Sequence, residues 1–444
     1  MVSRLAPKFC DTSSRAAVLL IIAAISISCQ GQIQPTAPDL VTSPSKPDET
    51  LAVTKTIEVD ALNEFRALLD QAETLRAVER QAEIDRYFAQ LPSIPITQDS
   101  TALFIYRGDA NTVQLLGDMN NWDHESAPFL SRLTGTDLWY LETALEEDAR
   151  LDYQFIIDGE SLVLDPLNPR IVMSGLGPNS ELVMPAYEIP SELAPGGGAI
   201  APGTIEEHTL DSEFLNQIRT FFVYEPASKI VGGRLPSVYF NDGGDYLNLI
   251  DTAALLDRLI TDRAIPPIVA VFIPPIDRES DYLDNELYVR FLAEELVPFV
   301  QETYDTDPDS EKTGVFGASL GGTAALQTAL SRPDVFGLAA VQSGAYSAHG
   351  DAVIEELKKI NRARLSGRID PFDLRVFNVV GTYETAVGGD PVSGNFLMAN
   401  RRLQHALESS NFDSHYEERP EGHSWGLWEG TLGKALKYLY KQDM

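Results

Sequence analysis

The residues Gly317-Ala318-Ser319-Leu320-Gly321-Gly322 stand between a short apolar run, 313–316, and a helix-forming stretch, 320–331. A serine flanked by glycines where a strand turns sharply into a helix presents its hydroxyl above the sheet, because side chains at the flanking positions would clash. A serine hydroxyl is a weak nucleophile until a neighbouring base takes its proton. His423, in Glu421-Gly422-His423-Ser424-Trp425 just before the closing helical stretch, is the candidate base. Of the six histidines, His124, His208 and His405 fall in other settings, and His349 and His415 lack a comparable position after the last strand. A carboxylate should follow the preceding strand and hold the imidazole tautomer. Glu384, just past the apolar run 374–380 in Gly381-Thr382-Tyr383-Glu384, is the candidate, with Asp390 as its rival. The Leu320 backbone N–H at the helix start and one near Gly243, in Asn241-Asp242-Gly243-Gly244, are candidate oxyanion donors. Arg278 and Trp425 are candidates for substrate contact, Arg278 having as its other reading an ion pair with Glu294 or Glu295.

These residues need a rigid frame. Apolar runs at 220–224, 237–240, 268–273, 314–316 and 374–380 alternate with helical stretches at 253–260, 286–304, 320–331, 395–409 and 427–440. Continuous apolar strands between helices predict a mostly parallel sheet covered on both faces, over residues 204–444. Residues 188–203 are rich in Pro and Gly and read as a linker. Residues 98–187 carry short alternating runs separated by Gly117, Gly135 and Gly159, which predicts a small β-sandwich. Over 57–97, apolar residues recur at spacings of three and four, the pattern of amphipathic helix.

The chain has 444 residues and a formal net charge of −32. Such acidity argues against nucleic-acid binding, which needs clustered Lys and Arg. Its two cysteines, Cys10 and Cys29, both precede the predicted domains, which excludes internal disulfides, a thiol nucleophile and thiolate metal sites there. The scattered histidines give no metal-binding spacing, and the expected chemistry needs neither metal nor cofactor. Arg4, Lys8 and Arg15 precede an apolar run at 16–27. That run is shorter than the ~20 residues of a spanning helix and suits an export signal over 1–28. Ser26 and Ser28 before Cys29 resemble a bacterial lipoprotein signal, although Ser26 stands where Leu is usual. The reading is lipidation at Cys29, a tether over 29–56, and a location on the periplasmic side or outer membrane.

Residues from about 203 to 441 resemble the enterochelin esterase and esterase D group of α/β-hydrolases. The resemblance rests on Arg219-Thr220 with VYEP, VYFNDGGDY, PPIDRESDYLDNELYVRFLAEELVPFV, FGASLGG, VVGTYE and EGHSWGLW, in that order. It implies an α/β-hydrolase fold, Glu384 rather than Asp390 as the acid, and His423 with Trp428 as the base motif. Residues 98–187 resemble the immunoglobulin-like early-set domain that precedes such catalytic domains, on VQLLGDMNNW, TDLWY, LDYQFIIDG and LDPLNP. Trp122 and Trp139 belong to that motif, where such tryptophans more often pack than bind sugars. The expectation is an exported serine esterase acting on a small-molecule or glycan-linked ester. The rivals are a feruloyl or acetyl esterase of polysaccharides, an acyltransferase, and a surface glycan-binding lipoprotein with an inactive hydrolase domain.

Overall fold

A computed structural model describes residues 61–91, 94–193, 201–228, 233–283, 285–367 and 372–441. The segments expected to form an export signal and a tether, with Cys29, lie outside the described residues, as do residues 194–200 of the expected linker. Among the described residues, no helix is long and apolar enough to cross a membrane.

Among the described residues, two helices, Ala61–Glu73 and Ala77–Phe88, come first. Leu62, Phe65, Leu68 and Ala72 recur on one face of the first helix and are buried. They pack with Ile84 on Leu103, Ile105 and Leu138 of the sheet that follows. That sheet has the order β1-β2-β5-β4, from Ile96–Gln98 (β1), Thr101–Arg107 (β2), Ser131–Arg132 (β4) and Leu138–Ala144 (β5). The second sheet runs β3-β6-β9-β8, from Val113–Gly117 (β3), Arg150–Ile157 (β6), Ile171–Ser174 (β8) and Gly177–Val183 (β9). Ser161–Val163 (β7) pairs with β6. Successive side chains of a strand face opposite ways. Thus Leu103 and Ile105 meet the helices, while Ala102 and Phe104 meet Leu115, Leu151, Tyr153 and Phe155 between the two sheets.

The larger part is an α/β-hydrolase fold built on an eight-stranded sheet, ordered β10-β11-β13-β12-β14-β15-β16-β17. Its strands are Thr204–Ser212 (β10), Gln217–Glu225 (β11), Ser237–Asn241 (β12), Val269–Ile273 (β13), Thr313–Ala318 (β14), Leu338–Gln342 (β15), Arg375–Gly381 (β16) and Asp413–Arg419 (β17). From β13 through β17 all pairings are parallel, whereas β10 and β11 join antiparallel. Strands β12 to β15 are buried on both faces, which is why they read as unbroken apolar runs. Val315 and Val341 face the helix Leu320–Ser331, and Val376 faces Phe396–Ser409. Phe240, Phe272, Phe316 and Val379 face Thr252–Thr261 and Trp425–Leu439.

The turn after β14 depends on Gly317. A Cβ there would lie 2.2 Å from the Gly321 carbonyl oxygen, backbone that cannot swing aside. Gly317→Ala should therefore destabilise the protein by about 1–3 kcal/mol, the usual cost of overpacking a closed interior. The check is the urea midpoint of unfolding, and an unchanged midpoint would show that the turn yields.

Candidate active site

The candidate nucleophile sits where the chain leaves the carboxyl end of β14. Ser319 has φ 55° and ψ −122°, a conformation few non-glycine residues adopt and one that costs on the order of 1–3 kcal/mol. The surroundings enforce it. Ser319 N–H donates to the Gln342 carbonyl at 2.8 Å, and its own carbonyl accepts from Ala345 N–H at 3.2 Å. Leu320 is the first residue of the helix, a position whose N–H has no partner within the helix. Gly321 is small because the Asp242 carboxylate occupies its side-chain space: a Cβ would lie 2.5 Å from Asp242 Oδ2.

The loop after β12 is stitched to this turn. Asn241 Nδ2 donates to the Gly321 carbonyl at 2.9 Å, and Tyr288 O–H donates to Asn241 Oδ1 at 2.9 Å. Asp242 N–H donates to Tyr282 Oη at 2.7 Å. Gly243 opens the short helix Gly243–Asn248, and a Cβ there would lie 2.1 Å from Ile273 N, so only glycine lets this loop lie against β13. Arg278 grips Asp242 through Nε at 2.8 Å and Nη2 at 2.9 Å, and Nη2 also donates to the Ala318 carbonyl at 3.2 Å. The sequence had set a substrate contact against an ion pair with Glu294 or Glu295. The ion pair present is with Asp242. Glu294 instead pairs with Arg290 and Arg332, and Glu295 accepts from Ser212 Oγ.

The acid and base candidates meet. His423 Nδ1 donates to Glu384 Oε2 at 2.6 Å, leaving Nε2 as the free lone pair. Glu384 is fully buried, and its Oε1 accepts from Gly381 N–H at 2.7 Å and from Ser343 O–H at 2.6 Å. The imidazole lies edge-on to Phe396 and Trp428, each with centroids 5.1 Å away. Asp390, the rival acid, is spent locally on Val392 N–H and Ser393 O–H. Ser319, Glu384 and His423 thus follow the carboxyl ends of β14, β16 and β17, the edge of an open α/β sheet where ligands bind. No hydrogen bond links Ser319 Oγ to His423 Nε2 among the described residues; such contacts often tighten only with substrate bound. Trp425 is nearly buried, edge-on to Tyr246 and Trp428, so it packs the base loop rather than presenting a face to a ligand. Trp139 is buried in the sandwich, and Trp122 donates through Nε1 to Asp118 at 2.8 Å. The described residues contain no grouping of His, Cys, Asp and Glu suited to a metal ion.

Two partners of this site were not evident in the sequence. Ser343, at the end of β15 with φ 52°, donates to Glu384 and accepts from Trp428 Nε1 at 3.0 Å. Gln342 beside it donates to the Trp428 carbonyl at 2.7 Å and accepts from Tyr246 O–H at 2.7 Å. Gln342-Ser343-Gly344 has no motif of its own. The one available signal was polar residues closing a run, 338–341, that is otherwise apolar.

The family model described as "Putative esterase" matches residues 212–439, and that described as "Enterochelin esterase, N-terminal" matches residues 101–166. An uncharacterized protein of Bacillus subtilis (strain 168), YjcH, is 30% identical over 247 residues, covering 53% of this chain and 98% of that one. The iron(III) enterobactin esterase of Escherichia coli O6:H1 is 25% identical over 366 residues, covering 74% of this chain and 86% of that one. Among solved structures, the ferric enterobactin esterase of Salmonella typhimurium superposes with a TM-score of 0.66 at 21% identity, covering 80% of this chain and 98% of that one. The enterobactin esterase of Shigella flexneri, crystallised with enterobactin, gives 0.64 at 23%, covering 77% and 93%.

Directly beneath the base loop lies a buried set of charges. Glu421, two residues before His423, is fully buried, with Arg419 Nε at 3.5 Å and Arg150 Nη1, from the sandwich, at 3.8 Å. Both ion pairs are long, so desolvation outweighs them and pushes the Glu421 carboxyl up to about 7. Asp118 and Asp152 close by are likewise raised, chiefly by burial, and for Asp118 also by the charge of Asp152. A carboxyl raised on folding binds a proton that the unfolded chain has released, so its contribution is present at low pH and is lost as pH rises. For Glu421 the window runs from about 4.5 to about 7. The carboxylates lowered by ion pairs nearer the surface, such as half-buried Glu418 and exposed Asp334, act below that window. The thermal midpoint should therefore fall between pH 5 and 8, and the fall should be shallower in Glu421→Gln. Melts across that range decide it; a parallel slope in the variant would remove Glu421 from the account.

Proposed function

The chain belongs to the esterase family, in its enterochelin-esterase-like branch of hydrolases acting on esters, and on that premise we propose that it is an exported serine esterase working through Ser319, His423 and Glu384. The observation that carries this reading is the 2.6 Å contact of His423 Nδ1 with the buried Glu384 carboxylate, at the same sheet edge as a serine held at positive φ. In this mechanism His423 Nε2 takes the proton of Ser319 as Oγ attacks the ester carbonyl carbon. Glu384 stabilises the resulting imidazolium without taking its proton. The carbonyl oxygen becomes an oxyanion, held by the N–H groups of Leu320 and Gly243. Collapse breaks the ester C–O bond, and the leaving alkoxide takes the proton from His423. Water, deprotonated by His423 in turn, then releases the acid from the acyl-enzyme.

The substrate proposed is a lactone or ester of the siderophore type, met outside the cytoplasm. Its support is that the similarity to enterobactin esterases runs through both the sandwich and the hydrolase part, whereas the acetyl esterase of Caldicellulosiruptor saccharolyticus matches 39% of this chain. Cys29 would be lipidated and would anchor the enzyme to a membrane through the tether, with the negative charge of the chain keeping it clear of anionic lipid.

Hydrolysis of p-nitrophenyl butyrate should fall on the order of 10⁴-fold in Ser319→Ala. A comparable fall is expected in Glu384→Gln, which presents the wrong hydrogen-bond partner to Nδ1, while Asp390→Asn should stay near wild type. Equal activity in wild type and Ser319→Ala would end the serine-esterase reading. Export is tested separately: Cys29→Ser in a bacterial host should abolish incorporation of labelled palmitate and move the protein from the membrane to the soluble fraction. Retention of label would place the lipid elsewhere.

A further inference from the structure

The loops that carry the proposed acid and base are both held from outside the hydrolase fold. After β3 the sandwich makes one turn, Asp118–Asn120, and then Asn121 takes φ 55°, a left-handed conformation that asparagine tolerates. That conformation aims the Asn121 side chain at the loop after β16. Its Oδ1 accepts from Ala386 N–H at 2.9 Å and from Thr385 O–H at 3.2 Å, the two residues directly after Glu384. From the same turn, the Asp118 carboxyl lies against Gly422, the residue directly before His423. A Cβ on Gly422 would sit 2.0 Å from Asp118 Cγ. Arg150 N–H, from β6, donates to the Pro420 carbonyl at 3.2 Å, and Tyr383 O–H bonds Glu146 of the sandwich.

The turn itself is rigid. Gly117 N–H donates to Asn120 Oδ1 at 3.0 Å, and Asn120 Nδ2 donates to the Leu115 carbonyl at 2.8 Å. Asp118 accepts from Asp152 N–H at 2.7 Å and from Trp122 Nε1 at 2.8 Å. The interface also runs along the closing helix, where the Arg150 guanidinium fills the space at Gly426 and Lys437 pairs with Glu192 of the linker at 3.0 Å. The contacts made by Asn121, Asp118, Glu146 and the Arg150 main chain fall on 383–386 and 420–422, the segments that carry Glu384 and His423. Within its own domain Glu384 is fixed at the main chain by N–H to the Gly381 carbonyl and by its carbonyl to Leu397 N–H. The far side of its loop, at 385–386, is where Asn121 takes hold.

We propose that Asn121 is a positioning residue for the hydrolytic reaction, by which the sandwich holds the Glu384 loop at the distance its carboxylate needs from His423. The inference rests on the proposed roles of Ser319, Glu384 and His423. It assigns Asn121 no contact with substrate. A loosened Glu384 loop leaves substrate binding intact but stabilises the imidazolium less in the transition state, so the loss belongs to kcat.

The test uses the full chain and p-nitrophenyl butyrate, with Asn121→Gly, which keeps the left-handed backbone but deletes the acceptor, and Asn121→Asp, which restores an acceptor oxygen. Misplacement of a catalytic group by a fraction of an ångström costs roughly tenfold or more in rate. In Asn121→Gly kcat should fall about tenfold with KM within about twofold of wild type. Asn121→Asp should recover most of kcat. The proposal is overturned if Asn121→Gly keeps wild-type kcat, if its loss falls on KM, if Asn121→Asp is impaired as much as Asn121→Gly, or if the loss follows a lowered thermal midpoint. Ser319→Ala run alongside separates the two levels. Wild-type hydrolysis that depends on Ser319 with no effect of Asn121→Gly sinks this inference alone. Hydrolysis that survives in Ser319→Ala sinks the assigned roles and this inference with them.

Discussion

A carboxylate with no access to water must be supplied with donors by the protein, and the burial of Glu384 imposes that demand on the whole site. Its donors come from three separate places: its own strand end at Gly381, the end of β15 at Ser343, and the loop after β17 at His423. The strand register must therefore be right for all three at once. β15 and β16 pair with Gln342 opposite Val379, and β16 and β17 pair with Gly381 opposite Arg419. A slip of one residue would turn each buried side chain to the other face and leave the carboxylate unpaired. The packing of the sheet and the chemistry at its edge are thus one problem, because the same alignment that fills the two apolar layers delivers the three donors.

The side of the proposed nucleophile answers a second constraint, the strain of Ser319. Its positive φ is held by backbone hydrogen bonds to Gln342 and Ala345, so the same strand end that supplies Ser343 to the acid also braces the serine. Glycines at 317, 321 and 243 are needed where backbone or carboxylate comes within reach of a missing Cβ. Asp242 fills one of those spaces and is neutralised by Arg278, a pair of hydrogen bonds in fork geometry that suits partial burial. Nearby, Arg219 and Asp281 form another bidentate pair that is almost wholly buried, tying β11 to the segment after β13. Removing one member of such a pair leaves a bare charge and costs about 3–5 kcal/mol, so these pairs fix geometry more than they add stability.

Much of this was legible in the chain because local rules act locally. The glycine-flanked serine between an apolar run and a helix, the glutamate past a buried strand, and the late Gly-His are each marked by the few residues around them, and the fold brings all three to the same edge of the sheet. The apolar runs at 237–240 and 268–273 disclosed strands buried on both faces, though not that β10 and β11 run antiparallel, since burial sets composition and not direction. Ser343, Asn121 and Arg150 were opaque for a different reason. Their partners lie 41, 265 and 271 positions away respectively, at Glu384, Ala386 and Glu421. No short pattern encodes such a contact. Arg278 was visible as a functional-looking cation, but its choice of Asp242 over Glu294 depends on how the loop after β12 folds back. Trp425 looked available beside the base because sequence does not reveal which face of a ring is covered.

The glycines of the base loop have a further meaning when both domains are considered. The space a side chain would take at Gly422 is filled by Asp118, and that at Gly426 by the Arg150 guanidinium. Each domain therefore lends volume that the other lacks, as a key fills the cuts of one lock. The two halves are a matched pair and not exchangeable modules. A foreign sandwich grafted onto this hydrolase would leave two hollows and a buried Glu421 with Arg419 as its remaining cation, and any sequence drift at 118 or 150 is tied to drift at 422 and 426 across the interface.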